Sequence, residues 1–552
     1  MVNGRRVVDH IVGVLAARGV RHVFGVDGAN IEDLYDAAYF RDDITAVLAK
    51  HEFSAAAMAD GYSRSGAALG VVAATSGGGC LNTVPGLGES LASRVPVLAL
   101  IGQPPTASDG RGSFQDTSGC GGALDAAALF STVSLYCRRV VRAADVAGAI
   151  RDALAAAARG GPAVLLLPKD VQQAQLDSAD PAEHHLAESG PTAVSFDLRR
   201  LADGLRGAAG RVTVIAGEQV ARDDARTELA MLADALGAPV ATVPDAKDVA
   251  GPSAPVTGVM GHPGVAESVG RGAACLLVGT RLPVTARAGL DDALAAVPLF
   301  SIGSAPPYLP CVHVSAPDLR IALPALARAV CGVPGRHAEA LPHSRLQPRP
   351  HLGPGVRYRD AMAAIDTALP GDADIVVDAG NIGAAAIHQL PARGDGRFLV
   401  ALGMGGMGYS FGAGIGTAFH RARRTVVIAG DGAFYMHGME IHTAVQYRLP
   451  ITFLLFDNHA HAMCVTREQL FYGNHYSYNR FGPSRLSAGL AAMFPGLPAV
   501  DVADVDALPA ALRTALNRDG PSVVAVDCSP DEMPPFAPFL TQEDSHDTLS
   551  TR

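Results

Sequence analysis

A chain of 552 residues is too long for one hydrophobic core, so two to four domains are expected. Its composition, 49% apolar, excludes a disordered chain, and a net charge of −10 spread without long runs argues against a nucleic-acid partner. No uninterrupted apolar run approaches the length of a membrane span, so no membrane partner is expected.

Near the N-terminus Val7, Val8, Ile11, Val12, Val14 and Leu15 recur at helical spacing and lead into a strand. That is the pattern of a core helix, and no signal peptide is expected. Strands are expected at 21–26, 44–48, 69–75, 95–101 and 163–167, with helices near 31–38, 52–65, 81–93 and 143–159. Residues 1–175 therefore read as a doubly wound parallel sheet. A polar linker, 171–196, leads to a Rossmann-like middle domain over 190–333, with strands at 212–216, 240–243, 275–278 and 298–302. A second linker, 334–356, rich in Pro, His, Arg and Gly, precedes a third domain over 357–531, with strands at 375–377, 398–400, 425–429, 451–456 and 523–526. Residues 532–552 read as a Pro-rich, then polar, tail. The fold class is thus α/β, with three doubly wound domains. The eight cysteines include no CxxC pair and several lie in apolar runs, so reduced core residues in a cytoplasmic protein are expected.

The run from Arg424 to Asn458 carries the most specific signal. Two β-branched apolar runs, 425–429 and 451–456, read as buried parallel strands joined by a helix over 436–446. Gly430-Asp431-Gly432 ends the first and Asn458 follows the second. Ligands of α/β sheets gather beyond the carboxyl ends of strands, so Asp431 and Asn458 can converge on one point. A carboxylate and an amide oxygen suit Mg²⁺, with diphosphate oxygens filling the remaining positions. Gly430 and Gly432 let the backbone approach a diphosphate. A lone Gly-Asp-Gly is a common turn; with this spacing between two buried strands it resembles the cofactor motif of thiamine-diphosphate enzymes.

With three such domains, the chain resembles the acetolactate synthase and pyruvate decarboxylase family. The segment Lys50-His51-Glu52-Phe53-Ser54 is similar to the one in which a glutamate binds the aminopyrimidine of thiamine diphosphate. The resemblance gives Glu52 that role: its carboxyl would favour the imino tautomer, whose nitrogen takes the C2 proton of the thiazolium. The segment 402–412, Leu-Gly-Met-Gly-Gly-Met-Gly-Tyr-Ser-Phe-Gly, is similar to the family's Gly-rich stretch under the coenzyme. It implies that the Gly405 carbonyl and Met407 amide bind the pyrimidine and that the Met407 side chain holds the coenzyme bent. The loop Asp378-Ala379-Gly380-Asn381-Ile382 corresponds to a diphosphate-binding loop, which assigns Gly380 and Asn381; Ile382 stands where many relatives carry histidine. Gly432, Ala433 and Met436 are assigned to the coenzyme in the same way, and the Ala460 carbonyl joins Asp431 and Asn458 as a metal ligand.

Three features separate a carboligase from a simple decarboxylase within that resemblance. Ala29, in Phe24-Gly25-Val26-Asp27-Gly28-Ala29-Asn30, is small where decarboxylases place an acid. Phe114-Gln115-Asp116 is similar to the synthases' signature and would place Phe114 and Gln115 on the acceptor side. The segments 75–82 and 168–172 also resemble that branch. The resemblance therefore implies an acetolactate-synthase-like enzyme: a 2-keto acid, pyruvate first among candidates, loses CO₂ and its acyl anion is transferred to a carbonyl acceptor. It also implies a homodimer or homotetramer with the coenzyme at the subunit interface. Two departures are plain. The chain has no tryptophan, where synthases use one to choose the acceptor, and carries His459 and His461 in that region. The middle domain keeps Arg281 of the family's FAD pattern but has Ala216-Gly217-Glu218 at its first turn and Ser315-Ala316 where an acid is expected, so FAD is not favoured. A 2-keto acid decarboxylase or other acyl transferase, a non-catalytic coenzyme-binding paralogue and a nicotinamide- or flavin-linked oxidoreductase remain as alternatives.

Overall fold

The computed structural model describes residues 5–66, 69–176, 198–208, 210–331, 341–342 and 344–540. The expected linker over 177–196, part of the second linker and residues 541–552 of the expected tail lie outside them. The chain forms two compact units. One comprises 1–194, 401–422 and 437–449; the other comprises 195–400, 423–436 and 450–552.

The first unit is built on a six-stranded sheet: β1 (His22–Val26), β2 (Thr45–Leu48), β3 (Gly70–Ala74), β4 (Val97–Gln103), β5 (Tyr136–Arg139) and β6 (Pro162–Pro168). All pairings are parallel, in the order β2-β1-β3-β4-β6-β5. Strands β3, β4 and β6 are buried along their whole length, which is why they read as unbroken apolar runs. On one face Val7, Ile11 and Leu15 of the first helix pack with Val71, Leu98 and Leu165. The helix Glu52–Gly66 is buried almost throughout. It lies against the helix Tyr409–Arg421, where a Cβ on Gly412 or Gly416 would run into the carbonyls of Ser54 and Met58. Small residues on both helices allow that close approach.

The second unit holds two parallel sheets. The middle one has β7 (Val212–Ala216), β8 (Val240–Thr242), β9 (Ala274–Val278), β10 (Leu299–Gly303) and β11 (Val312–Ser315), ordered β8-β7-β9-β10-β11. The other has β12 (Asp374–Val377), β13 (Phe398–Val400), β14 (Thr425–Gly430), β15 (Ile451–Asp457), β16 (Ala499–Val502) and β17 (Ser522–Asp527), ordered β13-β12-β14-β15-β17-β16. Its strand permutation repeats that of the first unit's sheet.

Of the strands in these three sheets, β5, β11 and β16 are absent from the sequence reading, and all are sheet edges. Their residues are mostly half-exposed and mixed in polarity, so the apolar run that marks a buried strand is missing. The helix expected over 436–446 instead begins at Asp431, runs to His437, tightens at Gly438–Glu440 and resumes over Ile441–Gln446. The chain turns directly from β14 into that helix, so Asp431 occupies a first turn, where the helix dipole favours a carboxylate. Residues 532–540, expected as the start of a tail, are packed. The Glu532 carboxylate accepts from the Tyr358 amide at 2.9 Å, and the Ala537 amide donates to Val259 O at 2.8 Å.

Lys247 is buried in the second unit. Its ammonium donates to the carbonyls of Ala386, Ile387 and Leu390, at the carboxyl end of the helix Asn381–Gln389, and lies 4.8 Å from the Phe398 ring centre. Replacing it by methionine removes its hydrogen bonds to the Ile387 and Leu390 carbonyls, so Lys247→Met should lower stability by about 1–3 kcal/mol in urea denaturation. Among the described residues no helix is long and apolar enough to cross a membrane.

Candidate functional site

In the first unit the predicted residues gather at the carboxyl end of the sheet. Glu52 opens its helix shortly after β2 and is buried. Its Oε2 accepts from Asn82 Nδ2 at 2.9 Å, while a Cβ on Gly79 would come within 3.1 Å of Oε1. Glycine at 79 keeps that side of the carboxyl open, and Asn82 orients it. The chain reverses direction of winding between β1 and β3, and loops from these strands meet there. Asn30 Nδ2 donates to Ser76 Oγ at 2.7 Å and the Asn30 amide to Thr75 Oγ1 at 3.2 Å. The hydroxyls of Thr75 and Ser76 reach Gln115 Oε1 at 3.4 and 3.5 Å. Gln115 takes a left-handed backbone, φ 59°. Ala29 is exposed, and its carbonyl accepts from Lys169 Nζ at 2.7 Å; Lys169 also pairs with Glu32. Phe114 is 79% exposed on the same loop as Gln115 and does not join this cluster.

The Gly-rich stretch belongs to the same unit. Glu89 accepts from the amides of Gly403, at 3.3 Å, and Met404, at 2.5 Å, and so fixes the strand of backbone leading to Gly405 and Met407. Gly405 is left-handed, φ 65°, and no atom lies within 4 Å of where a Cβ would be, so the loop offers open backbone there. Met407 is half-buried. Glu89 is in turn held by Arg64 Nη2 at 3.0 Å, and Arg64 Nε meets Asp60 Oδ1 at 2.6 Å. Tyr409 O–H and Ser90 O–H donate to Asp60 at 2.5 and 2.7 Å. Burial pushes the Tyr409 hydroxyl pKa well up, while Arg64 holds the Glu89 carboxyl below its ordinary range against the opposing effect of burial. None of these five supports was given a role in the sequence.

In the second unit, β12 and β14 mark the corresponding reversal of winding. Gly380 has φ 115° with no atom within 4 Å of a Cβ position. Asn381, buried at the first turn of a nine-residue helix, donates through Nδ2 to Thr466 Oγ1 at 3.3 Å, and its Oδ1 has no partner. A helix start with open glycine backbone and an unpaired amide oxygen suits a diphosphate and its cation. Asp431 is fully buried; Oδ1 accepts from the Gly432 amide at 2.9 Å and Oδ2 has no partner. Burial, and then the neighbouring Asp457, raises the Asp431 pKa well above the usual carboxylate range. Asn458 Oδ1 accepts from the Ala460 amide at 3.0 Å, a tight turn that brings Asn458 and Ala460 together. Tyr358, fully buried, lies beside Asn381 and Asn458. Gly432 and Ala433 are buried behind Asp431, whereas Met436 is 48% exposed. His461 packs edge-on against Phe481, with ring centres 4.8 Å apart. His459 turns back on Asp457, Nδ1 to Oδ1 2.9 Å. The residues present therefore fit a divalent cation with a diphosphate: a buried, unpaired carboxylate oxygen needs a positive partner.

Glu532 adds a pH dependence. Burial raises its carboxyl pKa to about 7 from 4.5. The folded chain thus binds more protons than the unfolded one between those values. The stabilisation is complete below pH 4.5 and is lost as pH rises through about 7. Glu532→Gln should flatten that profile, a difference of roughly 3 kcal/mol across the window by denaturant titration.

At the middle sheet the carboxyl ends of β7, β9 and β10 surround a buried side chain of the chain itself. Gln219 Nε2 donates to Ala316 O at 2.9 Å and its Oε1 accepts from the Ser304 amide at 2.7 Å. Arg281 stacks on the Tyr308 ring at 4.1 Å.

Comparison with known proteins agrees with this layout. Residues 5–121, 198–301 and 378–526 match, in turn, the N-terminal TPP binding domain, the central domain and the C-terminal TPP binding domain of thiamine pyrophosphate enzymes. The acetolactate synthase isozyme 2 large subunit of Escherichia coli is 28% identical over 95% of this chain and 95% of its own length. A chain of Methanocaldococcus jannaschii named "Probable acetolactate synthase large subunit" is 27% identical over 96% of this chain and 93% of its own. An X-ray structure of a Mycobacterium smegmatis protein, described as thiamin diphosphate-dependent, superposes with a TM-score of 0.78 at 24% identity, covering 95% of this chain and 100% of that one, a likeness in fold.

Proposed function

The chain belongs to the thiamine pyrophosphate enzyme family, and on that premise we propose that it is an acetolactate-synthase-like carboligase. It would take a 2-keto acid, pyruvate first, release CO₂ and join the acyl unit to a carbonyl acceptor. When bound, thiamine diphosphate supplies the electron sink that lets a 2-keto acid lose CO₂ and act as an acyl-anion equivalent. Glu52, oriented by Asn82, would offer its carboxyl to a pyrimidine nitrogen and serve it as proton donor and acceptor. The Gly405 carbonyl and Met407 amide would bind the pyrimidine, and the Met407 side chain would pack against the coenzyme. Asp431, Asn458 and the Ala460 carbonyl would hold the cation, Mg²⁺. Gly380, Asn381, Gly432, Ala433 and Met436 would line the diphosphate.

The observation that carries carboligation over simple decarboxylation is the uncharged crest of Asn30, Thr75, Ser76 and Gln115 beside Ala29. Hydroxyls and amides can hold a carbonyl acceptor, whereas they offer no acid to protonate the acyl carbon. Gln115 and Phe114 are assigned to the acceptor side, Phe114 being exposed in the lone chain. The reading includes a homodimer or homotetramer, with Glu52 of one protomer and Asp431 and Asn458 of another holding one coenzyme, in the cytoplasm. FAD is not part of it.

Incubation with pyruvate, Mg²⁺ and thiamine diphosphate, with products read by mass, is the test. Acetolactate, or a mixed acyloin when a second carbonyl compound is added, is the expected result. Acetaldehyde alone would assign a decarboxylase, and coenzyme binding without any product would assign a regulatory paralogue. Gln115→Ala should cut carboligation about tenfold or more while leaving CO₂ release less affected, shifting products toward the aldehyde.

A further inference from the structure

We propose that Lys247, in the middle domain, is a positioning residue for the coenzyme: it clamps the carboxyl end of the helix Asn381–Gln389, whose first turn is assigned to the diphosphate, and its ammonium charge strengthens thiamine diphosphate binding. The inference rests on that assignment of Gly380 and Asn381. Lys247 follows the short turn Pro244–Ala246 beyond β8 and is buried. Its ammonium donates to Ile387 O and, at 2.5 Å, to Leu390 O, with Ala386 O 3.5 Å away. Other contacts fix the same end of the helix. His388 Nε2 accepts from the Leu346 amide at 3.1 Å, so Nδ1 carries the proton and donates to Met260 O at 3.1 Å. The His262 ring stacks on His388, with ring centres 4.8 Å apart. Lys247, Met260 and His262 all come from the middle domain, which therefore holds the helix from behind.

Lys247 is the charged member of this clamp. The nine-residue helix spans roughly 13 Å from Asn381 to the ammonium end. A helix carries partial positive charge at its first turn and partial negative charge at its last. The ammonium cancels the negative end, whose field opposes an anion at the other end. Because Lys247 is buried, water screens this effect little. Losing the charge should therefore weaken a diphosphate that Lys247 does not touch.

The charge also changes within an ordinary pH range. Burial lowers the Lys247 pKa to about 7 from 10.5, with Asp366 opposing it. Asp366 lies on the helix Tyr358–Ala368 and pairs with Arg393 at 2.8 Å. Asp245 and Asp248 lie on the loop of Lys247 itself, and Asp248 pairs with Arg226 at 2.6 Å. His388 stays neutral, because burial pushes its pKa down to about 4. Below about pH 7 Lys247 is an ammonium, and above it a neutral amine. Coenzyme affinity should fall as pH rises through that value.

The test titrates thiamine diphosphate, with Mg²⁺ present, into the full chain by calorimetry at a series of pH values from about 6 to about 9. Lys247→Met should bind the coenzyme about fivefold more weakly than the parent at the acid end and within about twofold of it at the alkaline end. The two profiles thus converge as the parent loses its charge. Parallel profiles would overturn the proposal, because Lys247 would then serve stability alone. Asp366→Asn supplies a second reading that does not depend on Lys247→Met folding. Its side chain is 43% exposed, and it is the charge that favours the ammonium. Removing that charge should move the fall in affinity to lower pH, and an unmoved midpoint would overturn the proposal as well. Binding is read without turnover, so a failed carboligation assay leaves the result intact. Parallel profiles with the coenzyme still bound sink the clamp alone. A chain that binds no thiamine diphosphate at any pH sinks the assignment of the diphosphate site, and the clamp with it.

Discussion

Glu52→Gln should lower the rate of CO₂ release from pyruvate at least about 100-fold, with thiamine diphosphate still bound within a few fold of its original affinity. The glutamine keeps the shape of the side chain, and its oxygen can still accept from Asn82, 2.9 Å away in the parent. What it loses is the exchangeable carboxyl proton. Most of the effect should therefore fall on kcat and little on the affinity for pyruvate. Glu52→Asp, which retains a carboxyl on a shorter stem, should recover part of the rate and so separate proton transfer from helix capping. Equal rates in Glu52→Gln and the parent, measured with saturating coenzyme, would show that this carboxyl does not serve the coenzyme at all.

The second large effect is expected at Arg64. Arg64→Met should destabilise the chain by about 3–5 kcal/mol, because it leaves Asp60 and Glu89 as buried carboxylates without their cation. Both are almost wholly buried, and Arg64 contacts them at 2.6 and 3.0 Å. The consequence extends to the Gly-rich loop proposed to bind the coenzyme, since Glu89 also anchors the amides of Gly403 and Met404. Urea denaturation followed by circular dichroism gives the stability, and coenzyme titration gives the effect on the loop. The double variant Arg64→Met, Glu89→Gln should be less destabilised than the two single losses added together, because one unpaired charge is then removed. A loss below about 1 kcal/mol in Arg64→Met would mean that water reaches these carboxylates.

The contrast between these two residues shows what could be read from the chain alone. Glu52, Asp431 and Asn458 lie at the ends of strands or starts of helices, where a few consecutive residues set both the local geometry and the chemistry. Asp431 follows β14, Asn458 follows β15, and the apolar runs that define those strands are buried on both faces. Burial on both faces leaves an unmistakable imprint on composition, so the three sheets and their central strands were legible. The edge strands β5, β11 and β16 were not, because a half-exposed strand needs no apolar run.

Contacts between distant segments left no imprint of that kind. Tyr409 reaches Asp60 across 349 positions, Met404 reaches Glu89 across 315, and Asn82 reaches Glu52 across 30. Each is an ordinary residue in its own neighbourhood, and only the packing of distant segments brings the partners together. Glu532 likewise reads as the start of a polar tail, yet it is buried against Tyr358. The sequence alone determined the family chemistry, because motifs at strand ends are local. The tertiary structure alone decided how the donors are arranged: which carboxylates are buried, which have partners, and that Asp457 and His459 stand beside Asp431. Burial and pairing are properties of a place in the fold, and a residue's letter does not carry them.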